Sequence, residues 1–182
     1  NSISFRSNMA RLSELLINED KFEKAKTIMD LAIEKMPINY FGYYSLLVPF
    51  VDGYYRIDNV DKAKDLSEKI AYKYADRLNY FSSLNANEQY LLGEEILTEI
   101  ERYRALIEAN LKHNERMKLF SQFPPSNQTQ IQDRIKKEWS AYNYFLQIIN
   151  SFDESTFFNT LKDQYNSNIN LFNLLGVTID IE

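Results

Sequence analysis

One histidine, no cysteine and four scattered glycines leave this chain few residue types with which to do chemistry. His113 stands in Asn110-Leu-Lys-His-Asn-Glu115, with no second histidine to share a metal and no Glu-x-x-His spacing of the kind that builds di-iron sites in helical bundles. It reads as a helix-end residue. Glu94, Glu95, Glu99, Glu101 and Glu108 form the densest run of carboxylates, but Arg102, Arg104 and Lys112 are interleaved among them at helical spacings. That pattern describes a solvated, self-neutralising helix face, and a helical-bundle enzyme working through residues 88–108 is the lesser alternative. The glycines at 42, 53, 93 and 176 are isolated, so no glycine-rich loop can cradle a phosphate. Asn127-Gln-Thr129 matches the short glycosylation acceptor pattern. No catalytic residue, metal site or cofactor is expected from this inventory.

Composition points to helices. Of 182 residues 45% are hydrophobic and 14% aromatic, enough for a sizeable core, while only 4 Gly and 4 Pro are present to punctuate a turn-rich β architecture. The net charge of −5 is uneven: residues 1–80 hold 12 basic and 12 acidic side chains, and residues 81–182 hold 9 and 14. An acidic surface disfavours nucleic acid as a partner. The longest uncharged run, Met36 to Val51, is 16 residues long and contains Pro37 and Pro49, short of the ~20 apolar residues a spanning helix needs. With Asn first and no basic-then-apolar leader after it, the chain is expected to be a processed protein or a piece of a longer one.

A repeat organises the first half. Asp20-Lys-Phe-Glu-Lys-Ala-Lys-Thr-Ile28 recurs 38 positions later as Asp58-Asn-Val-Asp-Lys-Ala-Lys-Asp-Leu66. Met9, Leu12, Leu16 and Ile17 trace a first helix, and Asp20 with Glu23 makes a capping-box start for a second, which turns Ala25, Ile28, Met29, Ala32 and Ile33 inward and stops near Pro37. A second pair is expected from Phe41 to about Ile57 and from Asn59 to about Phe81, joined by Ile57-Asp58-Asn59. One hairpin cannot cover its own apolar face, and a second of the same shape stacks on it through small residues. Counted back from Pro37, Leu12-Ser13, Ala25 and Ala32 take the places of the tetratricopeptide pattern, and Ala63, Phe50 and Tyr54 continue it. Val51, Ile70 and Ala75 depart from it.

The expected fold class is therefore all-α: two tetratricopeptide-like hairpins over residues 1–81, a helical region over 82–176 that packs on them, and a tail over 177–182. In the second region Asn85 and Glu88 form another capping box, and one long helix is expected from Ala86 to about His113 or beyond. Phe123-Pro-Pro-Ser-Asn127 is a loop. Ile131, Ile135, Trp139, Tyr142, Leu146 and Ile149 trace one further stripe, Phe158, Leu161, Tyr165, Ile169, Phe172 and Leu175 another, with Gly176 as its stop.

Two surfaces are candidates for binding. In a tetratricopeptide stack the first helix of each unit lines the concave face, which by register places Ser7, Ala10, Glu14, Ser45, Val48, Asp52 and Tyr55 there. This face is polar to acidic, and the Lys and Asn that grip a C-terminal carboxylate in some members are missing from it. The other candidate is the aromatic concentration Tyr40, Phe41, Tyr43, Tyr44, Phe50, Tyr54 and Tyr55. A row of exposed tyrosines could hold a peptide or sugar, although the 43, 47, 50, 54 spacing also suits packing between helices.

The stretch Ser4-Phe-Arg-Ser-Asn-Met-Ala-Arg-Leu-Ser-Glu-Leu-Leu-Ile17, with Asp-Lys-Phe-Glu-Lys-Ala-Lys, Glu-Lys-Met-Pro37, Tyr54-Tyr55 and Asp61-Lys-Ala63, resembles the soluble C-terminal region of multi-pass membrane proteins of Bacteroidetes. That family is similar to polytopic glycosyltransferases of the protein O-mannosyltransferase type. The resemblance covers about residues 4–77; Pro37-Ile-Asn-Tyr-Phe-Gly-Tyr-Tyr44 departs from it, where a more polar linker is expected. It implies a non-catalytic interaction module, tethered to a membrane on its periplasmic side, that binds a polypeptide acceptor or partner protein while catalysis resides upstream. A free-standing peptide- or carbohydrate-binding protein that uses its Tyr-rich helix is the alternative.

Overall fold

The computed structural model describes residues 2–120, 144–145, 147–152 and 163. All regular structure among them is helical: α1 (Ser2–Asn18), α2 (Phe22–Lys35), a short 3₁₀ turn (Tyr44–Leu47), α3 (Val48–Arg56), α4 (Val60–Ser82), α5 (Ala86–Leu91) and α6 (Gly93–Phe120). The all-α class is thus as expected. The chain divides into two compact units after Tyr74, seven residues before the boundary expected after residue 81.

In the first unit, α1 and α2 form a hairpin. α1 buries Arg6, Met9, Ala10, Ser13 and Ile17. Leu12, expected inside, is 43% exposed, and Leu16 is half-buried. The inward stripe is rotated because two of its members are polar and carry no hydrophobic signal: Ser13 donates to the Ala10 carbonyl at 2.8 Å, and Arg6 finds backbone partners described below. α2 seals against α1 with Ala25, Met29 and Ala32, while Ile28 and Ile33 are half-buried.

The turn between them differs from expectation. Asp20 does not cap α2; the cap position is Lys21, which makes no side-chain capping bond. Asp20 instead closes α1, adopting the left-handed conformation at φ 57° that helix C-termini commonly use. Lys21 N–H reaches back to the Leu16 carbonyl at 2.8 Å and Asp20 N–H to Ile17 at 3.0 Å, the paired bonds of a Schellman ending.

The same turn is written again 38 residues on. Asp58 has φ 60°, Asn59 N–H bonds to the Tyr54 carbonyl at 2.8 Å and Asp58 N–H to Tyr55 at 3.2 Å. Glu19→Leu15 and Ile57→Gly53 match at 3.1 Å each, as do Ala25→Lys21 at 3.0 Å and Ala63→Asn59 at 3.1 Å. Arg56 then ties the two first-helix ends together by donating to Asn18 Oδ1 at 2.6 Å.

The first helix of the second hairpin is shorter than its sequence promised. It does not begin at Phe41; residues 37–40 form turns, with Tyr40 and Phe41 N–H both on the Pro37 carbonyl at 3.1 Å, and Tyr43 is left-handed at φ 55°. α3 starts only at Val48, where Pro49 occupies the first turn and its missing N–H costs nothing. α3 lies against both α1 and α2. Gly53 permits that approach: a Cβ there would meet Met29 Sδ at 2.6 Å and Ile17 Cδ1 at 3.4 Å. On α4, Ala63, Leu66, Ile70 and Tyr74 are buried, and Tyr74 meets Tyr44 edge-on with centroids 5.9 Å apart.

In the second unit, Leu78, Phe81, Ile96, Ile100, Tyr103, Leu106, Phe145, Ile148, Ile149 and Phe152 are buried, and Tyr103 meets Phe145 edge-on with centroids 5.3 Å apart. Asn85 caps α5 as expected: its Oδ1 accepts from Asn87 and Glu88 N–H at 3.1 Å, and Glu88 Oε2 accepts from Asn85 N–H at 3.1 Å. The single long helix is broken, however, between Leu91 and Gly93, where Leu92 leaves helical geometry beside a weak helix former. The Phe123–Asn127 loop, most of the 131–149 stripe, the 158–175 stripe, Gly176 and the tail lie outside the described residues.

Candidate functional site

A groove of about 770 Å³ lies in the first unit between the C-terminal half of α2, residues 36–39 and α4. Its volume falls within the range usual for ligand sites. It exists because the 37–43 linker is not helical. Ile33, Met36, Leu47, Tyr54 and Leu66 supply an apolar floor, and Asp30, Glu34, Lys62, Asp65 and Lys69 stand around it. From Lys62 to Lys73 the α4 wall rises about 16 Å, the length of roughly five extended residues.

One carboxylate is fixed in that floor from beneath. Buried Tyr54 donates its hydroxyl to Asp30 Oδ1 at 2.6 Å, and Lys62 Nζ reaches the same oxygen at 2.5 Å while lying 5.8 Å from the Tyr54 ring centroid. Burial raises the Asp30 pKa, but the hydrogen bonds from Lys62 and Tyr54 and the charges of Lys62 and Lys26 outweigh it and hold the carboxyl below its usual value. Burial, with the Asp30 carboxylate beside it, drives the Tyr54 phenol far above its ordinary pKa. Both groups therefore keep fixed states at neutral pH, Asp30 charged and Tyr54 neutral. Lys69 is similarly engaged, by Asp65 at 2.7 Å.

The linker wall is held from behind. Arg6 is only 2% exposed, and its guanidinium donates to the Met36 carbonyl at 2.9 Å, to Gly42 at 2.7 Å and to Tyr43 at 3.4 Å. Desolvation lowers its pKa, and no carboxylate pairs with it among the described residues. A guanidinium has the planar fork of donors that can gather several carbonyls at once. Arg6 thereby fixes the path of the 36–43 segment and with it one edge of the groove.

None of the residues assigned to the concave face lines this groove. Ala10 and Tyr55 are buried, which corrects their assignment to a binding surface; Ser7, Ser45, Val48 and Asp52 are half-buried and Glu14 is exposed. The tyrosine platform is also revised. Tyr54 and Tyr55 are packed inside, Tyr44 is half-buried, and only Tyr40 and Tyr43 of the cluster are exposed, at 85% and 57%. Packing won because α3 touches two other helices.

Sequence reading missed Asp30 and Lys62, which come together only when α2 and α4 are placed. A signal was present for the groove itself: Pro37, Gly42 and Pro49 within 13 residues argue against a helix starting at Phe41.

The acidic face of the second unit is not uniformly solvated. Glu94, Glu95 and Glu101 are exposed, but Glu99 is 2% exposed, with Oε1 2.8 Å from Arg102 and 3.8 Å from Arg77. Arg77 also pairs with Glu95, and Arg104 with Glu101 at 2.8 Å. This is an ion-pair network that neutralises a buried carboxylate. His113 is buried in the interior of α6, which continues to Phe120, rather than at a helix end. Among the described residues no group of three or more His, Asp or Glu is arranged to hold a metal, and no helix is long and apolar enough to cross a membrane.

No protein-family model, curated protein or solved structure matches this chain.

Proposed function

We propose that this segment is a non-catalytic interaction module whose groove between α2 and α4 receives a short stretch of polypeptide. The single observation that supports this most is the groove's construction: an apolar floor, ionised groups fixed around it by internal partners, and a wall pinned by Arg6. Preorganisation of this kind lowers the entropy cost of binding. The functional groups in the groove are engaged with one another, Asp30 by Tyr54 and Lys62 and Asp65 by Lys69, which suits recognition better than turnover. On the resemblance noted above, the module would present an acceptor or partner chain to a membrane-embedded glycosyltransferase-like region, on the periplasmic side. The test is an array of random-sequence peptides probed with the wild-type chain and with the double variant Ile38→Ser, Tyr72→Ala, which changes only rim side chains. Selective binding to a subset, weakened in the variant, is the expected result; indiscriminate binding, or binding the variant leaves unchanged, would overturn it.

A further inference from the structure

Resting on the polypeptide reading of the groove, we infer that its occupant is an extended segment carrying two basic side chains separated by one residue, basic-x-basic, seated along the Asp30 and Glu34 edge of α2.

Three observations carry this. The first is charge: four carboxylates, Asp30, Glu34, Asp65 and Glu68, line the groove against three lysines, Lys62, Lys69 and Lys73. Two of those lysines pair with groove carboxylates, Lys62 with Asp30 and Lys69 with Asp65. Those pairs cancel, and Glu34 and Glu68 stand against Lys73, so the lining keeps an acidic balance of one charge. The second is the geometry of Asp30. Both of its donors, the Tyr54 hydroxyl and Lys62 Nζ, fall on Oδ1, which leaves Oδ2 for an incoming donor. Tyr54 is buried and holds the carboxylate in place, whereas the Lys62 side chain is about half exposed, so that a cation arriving from solvent competes with it for Asp30. A guanidinium from a ligand can take that carboxylate in the two-pronged manner Lys62 cannot.

The third is spacing. Asp30 and Glu34 are one helical turn apart on α2, about 6 Å along its axis. Alternate residues of an extended chain lie about 6.6 Å apart on one side. Two basic side chains at i and i+2 thus reach both carboxylates, while the residue between them faces α4, where the exposed Tyr72 offers apolar surface. Among the described residues Glu34 pairs with its neighbour Lys35, in a solvent-exposed pair that is easily exchanged.

The test uses the full 182-residue chain and three fluorescein-labelled heptapeptides of the form Ala-Leu-Z-Val-Z-Leu-Ala, with Z as Arg, Gln or Glu, titrated by fluorescence anisotropy. The Arg probe is expected to bind about tenfold or more tighter than the Gln probe, with the Glu probe weakest. The variant Asp30→Asn keeps an oxygen for Tyr54, and with Glu34→Gln it should erase the difference between Arg and Gln probes while circular dichroism stays unchanged. Raised salt should weaken the Arg probe alone. Equal or tighter binding of the Glu probe, sensitive to Ile38→Ser with Tyr72→Ala, would end the basic preference and leave the groove a peptide seat. A failure of all three probes would end the basic-x-basic reading, and binding blind to the rim variant would end both readings.

Discussion

The two hairpins of the first unit share one turn and differ in what precedes it. Around Asp20 and Asp58 the backbone repeats the same bonds from donors 38 positions apart, yet α1 has 17 residues before its turn and α3 has 9. The difference teaches where the repeat resides. It lies in the helix ending and in the start of the following helix, where Ala25 and Ala63 are both fully buried. The first helices are free to diverge, and the shortening of the second one leaves the linker that walls the groove. The groove thus lies where the helices before two like turns stop matching.

The sharpest way to break this comparison is at the paired positions 15 and 53. Gly53→Val drives a branched side chain into Met29 and Ile17 and should cost about 2–3 kcal/mol, whereas Leu15→Val on the exposed face of α1 should change stability by no more than about 0.5 kcal/mol. Chemical denaturation of both variants measures it. Next is Arg6→Met, which strips the Met36 and Gly42 carbonyls of their donor and should cost about 2 kcal/mol; amide hydrogen exchange over residues 36–43 should accelerate more than over α6.

Tyr54→Phe removes one hydrogen bond to Asp30 and should cost about 1 kcal/mol at neutral pH. The pH dependence sharpens this. Because the folded phenol has a pKa raised above that of the unfolded chain, near 10, its contribution is complete below about pH 10 and is lost as pH rises beyond it. The gap between wild type and Tyr54→Phe should therefore narrow in alkaline thermal melts; a constant gap would contradict the assigned environment. Smallest are Asp20→Gly and Asp58→Gly. Each relieves a left-handed non-glycine residue and should stabilise by up to about 1 kcal/mol, by the same amount at both turns if the turns are equivalent.

Much of this was legible in the residues. The doubled Asp-x-x-x-Lys-Ala-Lys motif located both turns, the alanines marked the tightest contacts, and Asn85 with Glu88 announced a cap that the structure contains. The role of Asp20 was misread because an aspartate before a helix looks the same whether it caps the next helix or closes the last one, and only the backbone sign at that residue distinguishes them. The inward face of α1 was misjudged for a related reason. Arg6 and Ser13 are hidden by bonds to main-chain carbonyls, which no periodicity of apolar residues records. The groove was harder still: Tyr54, Asp30 and Lys62 are brought together from three helices, and first-helix register carries no sign of a linker that is not helical.

The most direct test of the account is to map where a peptide lands on the folded chain. Backbone amide shifts of the isotope-labelled protein should be recorded as the Arg-Val-Arg heptapeptide is added. Perturbations gathered on residues 30–39 and 62–73 are expected, with the amides of Ser7, Glu14, Ser45 and Asp52 unmoved. Perturbations centred on those four residues instead would place binding on the first-helix face and contradict it.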